Sequence, residues 1–147
     1  IIIDESDATL ESAPRALELG YSGTSHKNCK GVFKGILNRA MINHRNREAG
    51  SEKYLMSGED LANIGPIANH LDLVVQATLG NESVERNGHH YFKGLSVFDR
   101  EIQLNVINSF PGIYAEEGDY VRLDIRDGRL DVSELLNTPF GTDESHF

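Results

Sequence analysis

Cysteine is nearly absent. Cys29 is the only one among 147 residues, which excludes an internal disulfide framework and fits a reducing, cytoplasmic compartment. As a lone thiol, Cys29 reads as packed or incidental rather than nucleophilic. Long apolar runs are absent too. None approaches the roughly 18–20 residues a membrane span needs, so no membrane partner is expected. Basic charge is scarce: 14 Lys and Arg stand against 23 Asp and Glu, a net charge of −9. Phosphate binding wants a basic surface, so no nucleic-acid partner is expected. Several signatures are also missing. The chain has no glycine-rich dinucleotide fingerprint, no Walker A loop, no Gly-x-Ser-x-Gly elbow and no zinc-spaced cysteines. It opens without Met, charged leader or cleavage site, so Ile1 does not begin a signal peptide.

What is present reads as a soluble globular chain, 39% hydrophobic and 25% charged, long enough for one core. Ile1–Asp4 is a β-branched run of the kind buried on both faces of a parallel sheet. A chain that opens inside such a strand is expected to be a piece of a larger protein. Thr9 or Ser12 can cap the next helix, Pro14 fits its first turn, and Gly20 can end it. A short strand follows around residues 22–26. Val32, Phe33, Ile36, Leu37, Ala40 and Met41 recur at helical spacing and predict an apolar face. A third strand is expected at 53–57, and a helix from Gly65-Pro66 to Gly80. A fourth strand falls at 84–86 or 88–92, and a fourth helix at 98–110. Tyr120–Ile125 alternates like a half-exposed strand, and Asp127-Gly128 can turn it back toward Leu130–Val132. Residues 138–141 read as a terminal loop.

Strands near 1, 22, 53 and 84 separated by helices make a βα repeat of about thirty residues, the unit of α/β proteins. A full eight-fold barrel takes about 250 residues. The chain is therefore a small doubly wound domain or the C-terminal part of a barrel. Both put functional groups at the C-terminal ends of strands.

The chemistry concentrates in residues 1–35. Asp4 and Glu5 end the first strand and offer the hard oxygens Mg²⁺ takes; such acids equally cap a loop or pair with Lys27. Lys27 ends the next strand. Partly desolvated near a metal, a lysine has a lowered pKa and can take a proton; alternatively it is a solvated charge. Lys30 reads as structural, at the opening of the following helix. Glu59 and Asp60 follow the third strand and can orient Lys27, touch substrate or cap a helix. His89 and His90 sit on or after the fourth strand, where adjacent residues face opposite ways. One of them can contact substrate or act as a second acid/base group, or one is packed and the other exposed.

Asp4-Glu5-Ser6 at a strand end, then a helix, then Lys27-Asn28-Cys29-Lys30-Gly31 at the next strand end, resembles the enolase superfamily, in its mandelate racemase and muconate lactonizing branch. The segment from Ile125 to Gly141 is similar to that family's C-terminal return. His26 and Asn28 depart from the usual apolar neighbours of the lysine, and His89-His90 stands where an acid is more usual. The resemblance implies an α/β fold, the C-terminal half of a TIM-type barrel with a short β-hairpin tail. Residues 1–112 would carry the βα repeats and 113–147 the hairpin and tail. It implies Asp4, with Glu5 beside it, as a ligand of a catalytic Mg²⁺. It implies Lys27 as the acid/base that moves a proton α to a carboxylate, with His90 as a second candidate. Glu59, Asp60 and His89 would orient groups or contact a small carboxylate such as an acid sugar or amino-acid derivative. A half barrel lacks the other metal ligands and exposes its sheet edges. The isolated chain is therefore expected to be inactive and to self-associate as a homo-oligomer. The alternative is a small non-catalytic α/β ligand-binding module, or a non-catalytic scaffold descended from the enzyme.

Overall fold

A computed structural model describes residues 1–138. Pro139, Phe140 and Gly141, part of the expected terminal loop and of the tail's family likeness, lie outside the described residues. The chain divides into two compact units, Ile1–Glu59 with Thr78–Glu85, and Asp60–Ala77 with the chain from Arg86 onward. The fold is mixed α/β. It has a three-stranded parallel sheet in the order β1-β2-β3 and a separate antiparallel pair β4-β5, with no closed barrel among the described residues.

The first unit contains helix α1 (Ser12–Glu18), strand β1 (Gly23–His26), a 3₁₀ turn (Asn28–Lys30), helix α2 (Val32–Ala49), strand β2 (Leu55–Glu59) and strand β3 (Val84–Glu85). Ile3 forms a parallel bridge to Thr24 on the free side of β1. Its N–H donates to Gly23 O at 2.9 Å, and Ser25 N–H donates back to Ile3 O at 3.0 Å. Only Ile3 of the opening run is buried; Ile1 is exposed, since among the described residues the run pairs with β1 alone. Gly20 and Gly80 stand just past the first helix and the helix Pro66–Thr78 with positive φ, as expected of helix stops. Strand β2 lies two residues later than predicted.

Helix α2 overturns its predicted face. Lys34, Gly35, Asn38, Ile42 and Asn46 are buried, while Phe33, Ile36 and Leu37 are exposed, Phe33 at 84%. Spacing alone marks a stripe without saying which side is covered. Here the covered side meets the polar groups of Asp7 and His26, so polar and small residues fill it.

The second unit contains nearly all of helix α3 (Pro66–Thr78), with α4 (Asn87–Tyr91), α5 (Arg100–Ser109), β4 (Tyr114–Glu117), β5 (Tyr120–Leu123) and α6 (Ser133–Leu136). Leu73, Leu95, Val106, Phe110, Ile113, Tyr114, Val121, Leu123 and Leu135 form its apolar core. Of the two places open for the fourth strand, the first holds it, as β3 at Val84–Glu85, and the second falls on helix α4. The expected hairpin fails, because β5 pairs back onto β4 across Gly118-Asp119. Asp127-Gly128 does make a turn, with both φ positive and an Arg126–Arg129 bridge, but no strand continues from it.

Strand β1 allows no side chain at Gly23, where a Cβ would overlap the Leu55 carbonyl oxygen. Gly23→Ala is expected to cost about 2–3 kcal/mol in urea unfolding, the range of an overpacked site. Phe33→Ser is expected to change stability by no more than about 0.5 kcal/mol, as an exposed position should.

Candidate functional site

The parallel sheet assembles the first unit's polar cluster. Register pairs Ser25 with Ser57 and His26 with Gly58, so one further step sets Lys27 beside Glu59. On the other side of β1, Ile3 is level with Thr24, which brings Asp4 and Glu5 to the same end. Three neighbouring strand ends thus contribute to one place. Lys27 Nζ lies 2.5 Å from Glu5 Oε1, 2.8 Å from Glu59 Oε2 and 3.1 Å from Asp4 Oδ2. The Lys27 side chain is 3% exposed and Glu59 16%, whereas Glu5 is 83% exposed.

Lys30 supports the cluster from the 3₁₀ turn. Its Nζ donates to Asp4 Oδ1 at 2.7 Å, to Asp4 O at 2.8 Å and to Ser25 O at 3.1 Å. Its structural reading is consistent with this, and its partner is the acid loop. His26 is buried, and its Nε2 lies 3.1 Å from Asn28 Oδ1. The amide oxygen accepts, so Nε2 carries the proton. That bond fixes the turn from which Lys30 reaches out. Gly35 lets the ring pack against α2: a Cβ there would lie 2.5 Å from His26 Nδ1.

Beneath the cluster lies an anchor that sequence reasoning missed. Asp7 is 2% exposed. Its Oδ2 accepts from Thr24 Oγ1 at 2.7 Å and from Asn38 Nδ2 at 3.1 Å. Lys34 Nζ sits 3.1 Å from Oδ1 and also donates to the Asp7 carbonyl. These bonds tie the acid loop to both β1 and α2. The available signal was Lys34 and Asn38 four residues apart, on one helix face with Ile42.

Charge states follow from these partners. Burial alone pulls the Lys27 pKa down, but Glu5, Glu59 and Asp4 outweigh it and hold the group well above its ordinary value. The expected lowered pKa is therefore reversed, because three carboxylates surround the ammonium. Burial raises Asp4, and Lys30 and Lys27 overcome this to hold it below its ordinary value.

These residues do not by themselves make a magnesium site. Both Asp4 oxygens face ammonium groups, and Glu5 faces Lys27. Among the described residues no group of three or more His, Cys, Asp or Glu side chains is arranged to hold a metal ion.

The remaining candidates belong to the second unit. Asp60 is fully buried and accepts from Ala62 N–H at 2.8 Å and Gly88 N–H at 3.1 Å, with Arg86 at 3.4 Å. It locks backbone there. Arg86 also pairs with buried Asp72 at 2.8 Å, whose pKa burial raises despite Arg86. His89 and His90 lie on α4, just after strand β3. His89 is half-buried, while His90 is exposed with its ring edge-on to Tyr91 at 4.9 Å. The structure thus brings Asp4, Glu5, Lys27 and Glu59 together, and holds Asp60, His89 and His90 in the other unit.

Replacing Lys27 removes the ammonium that sits 2.8 Å from Glu59 Oε2. Lys27→Met is expected to lower stability by about 1–3 kcal/mol, and Glu59→Gln added to it should recover part of that loss. Glu5→Gln should cost no more than about 1 kcal/mol, because Glu5 is solvated. The folded-state shifts also fix a pH window. The Asp4 contribution is present above its ordinary value of 3.8 and lost as pH falls through its lowered folded value. The Lys27 contribution is present below its ordinary value of 10.5 and lost only as pH rises through its still higher folded value. Urea midpoints measured across pH should show both contributions intact from about pH 5 to about pH 9. A drop within that range that Lys27→Met removes would contradict the assignment.

No protein family model, curated protein or solved structure matches this chain.

Proposed function

We propose that the Lys27 cluster is the acid/base part of an enolase-superfamily active site, of racemase, dehydratase or cycloisomerase type, in the C-terminal half of a TIM-type barrel. One observation supports this reading. A buried ammonium at the end of one parallel strand meets carboxylates from the ends of both neighbouring strands. Such folds keep their reacting groups at those ends. The substrate is a small carboxylate, such as an acid sugar or amino-acid derivative, and the working protein is a cytoplasmic homo-oligomer.

In the reaction the C–H bond α to the carboxylate breaks, and its electron pair moves onto the carboxylate oxygens as an enediolate. Lys27 accepts the proton as an amine or returns one as an ammonium. Its raised pKa makes the ammonium the resting form, so a base role requires the loss of a carboxylate partner first. Glu5 is the most exposed of the three and the easiest for a substrate to displace. Lys30 and the Asp7 anchor hold Asp4 in register with Lys27. Mg²⁺, which the family resemblance implies, would neutralise enediolate charge where bound. The described residues do not complete a site for it.

A second reading has its own support. The carboxylates already satisfy Lys27, as in a structural ion-pair cluster of a non-catalytic ligand-binding module. The coding sequence upstream of Ile1 separates the two. An in-frame extension of about two hundred residues favours the barrel enzyme, and a start codon directly before Ile1 favours the module. In the extended protein Lys27→Arg keeps the charge but cannot give up its proton near neutral pH. It is expected to slow exchange of the substrate α-proton with D₂O by at least about 100-fold while the protein stays folded. Undiminished exchange in Lys27→Arg would remove Lys27 from the chemistry.

A further inference from the structure

The second unit holds a cleft of about 320 Å³ between α4 with its following loop and the β4-β5 hairpin. His89, Phe92, Gly94, Glu117, Tyr120 and Arg122 line it. Small-molecule sites start at about this size, enough for a compact ligand. At Gly94 backbone, not a side chain, meets the hairpin. Its φ is +52°, and a Cβ there would overlap the Val121 carbonyl oxygen. Leu95 N–H donates to that same carbonyl at 2.7 Å and fixes the approach.

Two lining groups can donate hydrogen bonds, the Arg122 guanidinium and the His89 imidazole. Arg122 is held in place, with Nη1 donating to Leu123 O at 2.8 Å and Nε to the Glu117 carboxylate. Its Nη2 has no hydrogen-bond partner among the described residues. His89 is half-buried beside it. Burial first, then the charges of Arg122, Arg86 and His90, hold its imidazole below the ordinary value, and Glu117 opposes them only in part. Glu117 itself stays at the rim, 52% exposed. Phe92 also lines the cleft.

We propose that this cleft binds a small organic oxyanion, with Arg122 Nη2 and the His89 imidazole as its donors and Phe92 against its apolar body. Its assignment does not depend on the Lys27 reading. Guanidinium and imidazole donors suit carboxylate and phosphate alike. A bound anion favours the imidazolium, so binding should strengthen as pH falls and the His89 pKa should rise on saturation.

The test is an imidazole NMR titration of the full chain with benzoate and, separately, with inorganic phosphate, His89 being assigned through His89→Gln. A saturable His89 response with a raised pKa is expected. Tighter benzoate binding would identify a carboxylate ligand, and tighter phosphate binding a phosphate ester. Arg122→Gln should weaken binding about tenfold or more, as the loss of one charged hydrogen bond does. Arg122 also holds the hairpin, so His89→Gln serves where Arg122→Gln does not fold; it should weaken binding, read by calorimetry, and flatten its pH dependence. No saturable response to either anion, or binding unchanged in the folded variants, would overturn the proposal.

Discussion

One ammonium group ringed by three carboxylates governs the first unit. An aliphatic stem carrying a charge is costly to bury unless that charge is paired and hydrogen-bonded. Lys27 is 3% exposed and meets both conditions, through acids that the neighbouring strand ends supply. The pairing works only in the parallel register observed, since a one-residue slip would turn Lys27 to the other face of the sheet. The cluster and the register therefore specify each other. The same device recurs one layer below, where Asp7 and Lys34 pair out of solvent and pin the acid loop to β1 and α2.

The two units solve burial in different ways. Among the described residues the second rests on a contiguous apolar core of nine buried side chains, with polar groups set into it, among them His70 against the Tyr114 hydroxyl, Gln103 on the Val121 N–H, and two buried aspartates that share Arg86. The first buries few large apolar groups and many polar ones, among them Asp7, Thr24, His26, Lys27, Lys34, Asn38 and Asn46. Satisfied polar networks stabilise little on balance, but they penalise alternatives heavily, because any misplaced partner leaves a buried charge unpaired. The first unit is thus specified more by polar matching than by apolar volume.

The strand-end acids and Lys27 were legible in the sequence because a β-branched run followed by carboxylates, and a polar tip after a short strand, are local signals. The βα order and the glycine stops were legible for the same reason. What failed was non-local. Helix spacing cannot say which stripe is covered, and α2 buries the stripe bearing Lys34 and Asn38 because Asp7 lies opposite. The hairpin was assigned to Asp127-Gly128, the stronger turn dipeptide, while the strand partner lay upstream across Gly118-Asp119. The fourth strand, open between 84–86 and 88–92, takes the first place, and Asp60, twenty-eight residues before Gly88, binds Gly88 N–H at the opening of α4. Only the fold brings such partners together.

The Lys27 environment also constrains any chemistry assigned to it. A general base works best with a pKa near the working pH. Burial moves Lys27 toward that range, and each carboxylate moves it away. The three are not equally committed. Glu59 is mostly covered, Asp4 is tied by Lys30, and Glu5 is 83% exposed and pairs with Lys27 itself. Losing Glu5 costs little and removes the shortest of the three contacts. An anion entering in place of Glu5 keeps the ammonium charged and suits Lys27 to the acid role, whereas a group without negative charge there lowers its pKa toward the base role, with Asp4 and Glu59 still opposing. The charge of whatever enters next to Lys27 therefore decides between acid and base, and the lysine alone does not.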